Sequence, residues 1–115
     1  MVQIQQSTDK RRITMQNVTI SITNPFDGTL LEMTVESTWK NNCDNYVAKC
    51  KDVRITGKFA PTMREEAVSV MLCNLAWEWL RKKRKTLNSA WRNNLRLYET
   101  WTEMTNEIKT KLAEK

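Results

Sequence analysis

The stretch APTMREEA, residues 60–67, divides the chain into two halves with different hydrophobic periods. Before it, apolar and polar residues alternate, whereas after it apolar residues recur at helical spacing. Thr62 with Glu65 three residues later has the form of a capping box, and a proline precedes it. We therefore predict an α+β fold, with an antiparallel sheet in residues 1–60 and helices in residues 61–115.

Two strands joined by a hairpin are predicted upstream of this boundary. NVTISIT, residues 17–23, and LEMTVESTW, residues 31–39, alternate apolar and polar side chains, which is typical of strands packed on one face. NPFDG, residues 24–28, lies between them, and its proline and Asp-Gly pair favour a tight connection. A change of parity at the start of the first run predicts a β-bulge at Gln16–Asn17.

A third apolar run spans about residues 46–59 and follows the polar loop KNNCDN, residues 40–45. Its apolar residues change from even to odd positions, which predicts a bulge or kink near Lys51–Asp52. A short further edge strand is expected at Val2 and Ile4. Together these runs predict a sheet of three or four strands with one apolar face.

The helix that starts near residue 62 is apolar on two sides. A helix of this kind must be covered on both sides, and the sheet can cover only one. The first apolar stripe consists of Val68, Leu72, Leu75 and Trp79. The second stripe consists of Met63, Val70, Cys73, Trp77 and Leu80.

A second, amphipathic helix is predicted over about residues 88–113, and two arrangements are open. It may be joined to the first helix by a short turn near Thr86–Ser89 and cover the second stripe. Alternatively, both segments form one long helix, because no glycine or proline interrupts residues 62–113, and the stripe packs on another subunit. We expect a homo-oligomer because the terminal helix is rich in large apolar residues. The expected oligomer interface consists of Trp91, Tyr98, Trp101, Ile108 and Leu112.

Length and composition predict a single domain spanning residues 1–115. No stretch of about 18 apolar residues exists, so neither a membrane-spanning helix nor a membrane partner is expected. The N-terminal residues lack the basic-then-apolar order of a signal peptide. The 3 cysteines have no framework spacing, which fits a reducing compartment. We expect a cytoplasmic protein, or one inside the host cell if it is viral.

The residues that most enzymes use are missing. The chain has no histidine, which removes the commonest general base and metal ligand. Its 3 cysteines do not have zinc-site spacing, and its 2 glycines cannot build a phosphate-binding loop. We therefore expect a non-enzymatic protein with no catalytic residue, no metal site and no cofactor.

Positive charge is concentrated in residues 79–98, which contain seven cations and no carboxylate, whereas the rest of the chain sums to −1. If the helix were continuous, four of the cations would share one face along about 22 Å. Such a surface matches the reach of several phosphates. The alternative is that these cations only complement a helix dipole and aid solubility. The seven cations are Arg81, Lys82, Lys83, Arg84, Lys85, Arg92 and Arg96.

Three functions are compatible with this pattern. The first is nucleic-acid binding, mainly through phosphates and with weak sequence preference. The second is an interaction or inhibitor module that docks on an acidic protein, as a viral or phage accessory protein would. The third is an oligomer that holds a small anionic ligand with Arg92 and Arg96. The aromatic residues of both helices fall on apolar arcs, so we expect them in the core or an interface rather than as base-stacking platforms.

Overall fold

The computed structural model of the chain describes residues 14–86 and 94–115. They form one antiparallel sheet of four strands in sequential order, followed by two helices, so the predicted α+β fold is confirmed. The predicted strand at Val2 and Ile4 lies outside the described residues. The elements are β1 (Thr14–Thr23), β2 (Leu30–Lys40), β3 (Cys43–Cys50), β4 (Val53–Phe59), α1 (Arg64–Arg84) and α2 (Asn94–Ala113).

The predicted hairpin between the first two strands is present, and local hydrogen bonds explain its turn. The side-chain oxygen of Asn24 accepts a hydrogen bond from the N–H of Phe26 at 2.9 Å, and the backbone carbonyl of Asn24 accepts one from the N–H of Gly28 at 2.8 Å. Gly28 has a φ of +77°, a conformation that glycine adopts without strain. The predicted bulge is also present but lies slightly earlier, because the register shifts between Thr14 and Gln16.

The third apolar run is two strands rather than one kinked strand, which corrects the prediction for Lys51–Asp52. These two residues form a tight turn, and Cys50 pairs with Val53 across it. Residues paired across a two-residue turn are three positions apart and share a face, so the parity changes without a bulge. The polar loop before β3 is likewise a two-residue turn, at Asn41 and Asn42, whose φ angles are +58° and +64°.

The first apolar stripe of α1 packs on the inner face of the sheet, as predicted. All four of its residues are buried, together with the inward residues of the strands. Close approach of α1 to β4 depends on Gly57, where an added Cβ would lie 2.9 Å from the Met71 sulfur. This approach sets the distance between the edge strand β4 and α1, which matters for the surface described below.

Part of the second stripe is covered by α2, so the chain forms a helical hairpin, but Met63 and Val70 of that stripe are each 38% exposed. The indole N–H of Trp101 donates to the carbonyl of Cys73 at 2.8 Å. In one continuous helix these residues would lie about 42 Å apart at 1.5 Å per residue, so the long-helix alternative is wrong. The carboxylate of Glu107 accepts the N–H and hydroxyl of Thr23 at 3.1 Å, which ties α2 to β1 as well.

This packing removes Ile108 from the predicted oligomer interface. Ile108 has no accessible surface, so it belongs to the core of one chain and cannot anchor a second copy. Trp101 and Leu112 are half-buried and pack against the same core. Tyr98 remains 55% exposed, and Trp91 lies outside the described residues. The terminal helix has used most of its apolar face within the chain.

The start of α1 is fixed by a tertiary contact rather than by the predicted capping box. A 3-10 turn covers Pro61–Met63, and no side-chain cap bond precedes α1. Instead, the Arg64 guanidinium donates to both carboxylate oxygens of the fully buried Asp44, at 2.7 and 3.1 Å. It also lies over the Trp39 ring, 5.6 Å from its centroid. Hydrogen bonding to Asp44 raises the pKa of Arg64 above its ordinary value.

We expect Arg64→Met to lower the free energy of unfolding by about 2–3 kcal/mol, because it leaves the Asp44 carboxylate buried without its partner. The loss should fall short of that for a fully buried pair, since 42% of the Arg64 side chain is exposed. Urea unfolding followed by circular dichroism measures it, with Lys58→Met, at an exposed position of β4 opposite Asn45, as control. A loss no greater than the control's would show that the pair does not stabilise the fold.

Candidate polyanion-binding groove

The basic cluster lies at the C-terminal end of α1. Trp79 and Leu80 are buried on the side of the last helical turns that faces the core. The cations that follow therefore lie on the outer sides and at the end of α1. Arg81, Lys82 and Lys85 are exposed, whereas the two cations between them are half-buried. The helix ends where the N–H of Lys85 turns back to the carbonyls of Lys82 and Lys83.

A groove of about 760 Å³ lies between this helix end and the edge strand β4. Nine described residues line it, of which five are cations and two are carboxylates, so these nine residues carry a net charge of +3. We call it the basic groove. It is lined by Asp52, Val53, Arg54, Ile55, Glu78, Arg81, Lys82, Arg84 and Lys85.

Two of the five cations are paired with the carboxylates of the groove. Arg81 donates to both oxygens of Glu78 at 3.1 Å, and the Lys82 ammonium lies 2.7 Å from Asp52. The hydrogen bond from Lys82 lowers the pKa of Asp52 below its ordinary value.

The other three cations of the groove are Arg54, Arg84 and Lys85. Over residues 14–86 and 94–115, no carboxylate forms an ion pair with any of them. The uncompensated charge of the groove therefore resides on these three side chains.

A second hollow of about 450 Å³ lies on the other side of the Lys82–Asp52 pair. Lys51 and Lys83 line it, but so does Asp27, whose pKa is lowered by hydrogen bonds from Thr29. Among its described lining residues, two carboxylates face three ammonium groups, so their net charge is smaller than that of the residues described in the basic groove. The Lys82–Asp52 pair thus separates a strongly basic hollow from a nearly balanced one.

The structure brings together only part of the predicted site. Four of its residues, Arg81, Lys82, Arg84 and Lys85, line the basic groove, and Lys83 lines the second hollow. Arg96 is exposed in the first turn of α2 and lines neither hollow, and Arg92 lies outside the described residues. Because the chain folds back after α1, the predicted 22 Å stripe that includes Arg96 is not formed.

Arg54 is the cation among the described groove residues that sequence analysis missed. It lies on the outward parity of β4, two residues after the turn, where a cation usually indicates only a solvated strand face. The one sign that Arg54 is more than a solvated residue is that it pairs with Lys49 across the strands. Like charges directly opposite each other destabilise a sheet. That signal appears only when the Lys51–Asp52 turn is recognised and the register is known.

The thiols do not form a second chemical site. Cys50 is buried and Cys73 half-buried, and burial raises the pKa of both thiols above their ordinary values. A reactive cysteine needs the opposite shift, because the thiolate is the nucleophile. These two side chains act as small packing residues in the core and under α2.

No family model, curated protein or solved structure matches the chain. Neither α1 nor α2 is long and apolar enough to cross a membrane. Across the described part of the chain, no group of three or more histidine, cysteine, aspartate or glutamate side chains could hold a metal ion. The basic groove is therefore the feature from which a function has to be inferred.

Proposed function

We propose that this protein binds nucleic acid without catalysing a reaction, through contacts between the basic groove and phosphate groups. The observation that carries the proposal is the convergence of Arg54, from the sheet edge, with Arg84 and Lys85, from the end of α1. These cations come from two elements, and no carboxylate of the described residues compensates them.

Complementing the helix dipole accounts for only part of this charge. Cations in the last turn of α1 have that effect, and Arg81 to Arg84 occupy that turn. Arg54 belongs to β4 and contributes nothing to the dipole. Its like-charged neighbours repel it, and a bound polyanion would relieve that repulsion.

The chemistry of the groove suits phosphate. Three of the five cations described in it are arginines, whose planar guanidinium groups can donate two parallel hydrogen bonds to phosphate oxygens. Contacts of this kind position a nucleic acid but carry no sequence information. We therefore expect oligonucleotides of unrelated sequence to bind with similar affinity.

Binding of fluorescent duplex oligonucleotides at several salt concentrations tests the proposal. If three to five cations contact phosphates, log affinity should fall with log salt with a slope of about −3 to −4.5. No binding at low salt would contradict the proposal. Binding of polyglutamate without binding of oligonucleotides would instead favour docking on an acidic protein.

A further inference from the structure

Three aromatic rings lie in a row on the outer side of the contact between α1 and α2. The centroids of Trp77 and Trp101 are 5.6 Å apart with the rings nearly perpendicular. The Trp101 and Tyr98 centroids are 5.8 Å apart with the rings tilted. We call these three residues the aromatic seam.

Exposure increases along the seam towards Tyr98. The two tryptophans are half-buried, and Trp101 is held in place by its hydrogen bond to the Cys73 carbonyl. Tyr98 is 55% exposed, so within one chain it lies outside the core, and its place in an oligomer interface stays a prediction. An exposed ring backed by two fixed rings is a rigid surface that loses little conformational freedom on binding.

The aromatic seam is continuous with the basic groove through Arg81. Arg81 follows Trp77 by four residues, so both lie on the same face of α1, about 6 Å apart along its axis. Arg81 also lines the groove and is oriented by its hydrogen bonds to Glu78. An extended polyanion in the groove would therefore reach the seam at this arginine.

We propose that the preferred ligand is single-stranded nucleic acid, with phosphates in the basic groove and one unpaired base stacked on Tyr98. The proposal rests on the proposed function and adds the class of nucleic acid. Only unpaired bases expose the faces that stack on an aromatic ring, whereas a duplex hides them. Stacking of this kind tolerates any base, in agreement with weak sequence preference.

The size of the exposed patch favours a base over a protein partner. Tyr98 exposes about half of the 150–250 Å² typical of an aromatic side chain. Leu95, one turn earlier in α2, is 65% exposed and adds a similar area. Even with Val70, which is 38% exposed two turns before Trp77 in α1, these side chains fall well short of the roughly 800 Å² per partner of a stable protein interface.

The tyrosines allow a direct test by NMR of tyrosine-labelled protein. The chain has only 2 tyrosines, and Tyr46 is buried with 2% exposure, so it serves as an internal reference. Adding oligothymidylate should shift the ring protons of Tyr98 through the ring current of a stacked base and leave Tyr46 unchanged. An oligomer of abasic sites should bind without this shift. An equal Tyr98 shift with both oligomers would overturn stacking.

Affinity measurements with three variants give an independent test. Tyr98→Ala should weaken oligothymidylate binding about 5- to 30-fold, the equivalent of ~1–2 kcal/mol. It should leave abasic-oligomer binding unchanged, and Tyr98→Phe should retain the parent affinity because the ring is kept. Leu95→Ala removes similar exposed area without a ring and should have little effect. An equal loss in Tyr98→Ala and Leu95→Ala would overturn stacking.

The outcomes separate this inference from the proposed function. If oligothymidylate, the abasic oligomer and duplex bind equally and the ring protons of Tyr98 do not shift, stacking is excluded but phosphate binding stands. If none of these polyanions binds at low salt, both proposals fail.

Discussion

Trp79→Ala is expected to lower the free energy of unfolding by about 3–5 kcal/mol, the range for truncation of a large buried side chain. Trp79 is only 5% exposed, and its ring lies 5.8 Å from that of Phe26 in the β1–β2 turn. It is the last aromatic residue of α1 before the basic cluster. Its loss leaves a cavity where that turn meets the helix end.

Urea unfolding of Trp79→Ala, followed by circular dichroism, measures this effect. Tyr98→Ala is a matched control, because it truncates an aromatic residue that the structure leaves exposed, and it should change stability by no more than about 0.5 kcal/mol. A loss below about 1 kcal/mol in Trp79→Ala would mean that the helix does not present this face to the sheet.

The sequence predicts the sheet and the helices well where a residue's own neighbours decide its environment. Alternation in residues 17–23 and 31–39 identifies β1, β2 and their inward faces, because a strand packed on one side needs that pattern. It could not distinguish a kink from a turn at Lys51–Asp52, because both reverse the parity of apolar positions.

Long-range contacts decided the features that sequence analysis missed. Asp44 shares the inward parity of β3, but its burial is acceptable only because Arg64 reaches it from the start of α1. The hairpin of α1 and α2 was undecided, because no glycine or proline marks it and the Trp101–Cys73 contact spans 28 residues.

Only part of the candidate site was predicted, because the rest also depends on long-range contacts. A run of cations at a helix end is visible in the sequence, and Arg81, Lys82, Arg84 and Lys85 line the groove. Arg54 joins them only because the β3–β4 hairpin brings the edge strand beside α1. The exposure of Tyr98 depends on how α2 is rotated against α1, which hydrophobic periodicity alone does not fix.

Arg54, Arg84 and Lys85 are the groove cations that have no carboxylate partner within residues 14–86 and 94–115. Replacing all three by glutamine is expected to weaken duplex binding about 10- to 100-fold. Each lost phosphate contact should reduce the salt slope by about 0.9, so the triple variant should lose about 2.7. The fold should remain intact, because surface substitutions usually change stability by within about ±0.5 kcal/mol each.

A matched variant separates local charge from net charge. Lys40, Lys109 and Lys115 are exposed and line neither the basic groove nor the second hollow. Changing these three residues to glutamine lowers the net charge by the same three units. If binding depended only on overall basicity, both triple variants would lose affinity equally.

The difference in salt slope between these two triple variants tests the central claim most directly. If the basic groove binds phosphates, the groove variant should lose about 2.7 units of slope with duplex DNA, and the matched variant should keep the parent slope. Equal slopes in the two variants, or a parent protein that does not bind at low salt, would contradict nucleic-acid binding through this groove.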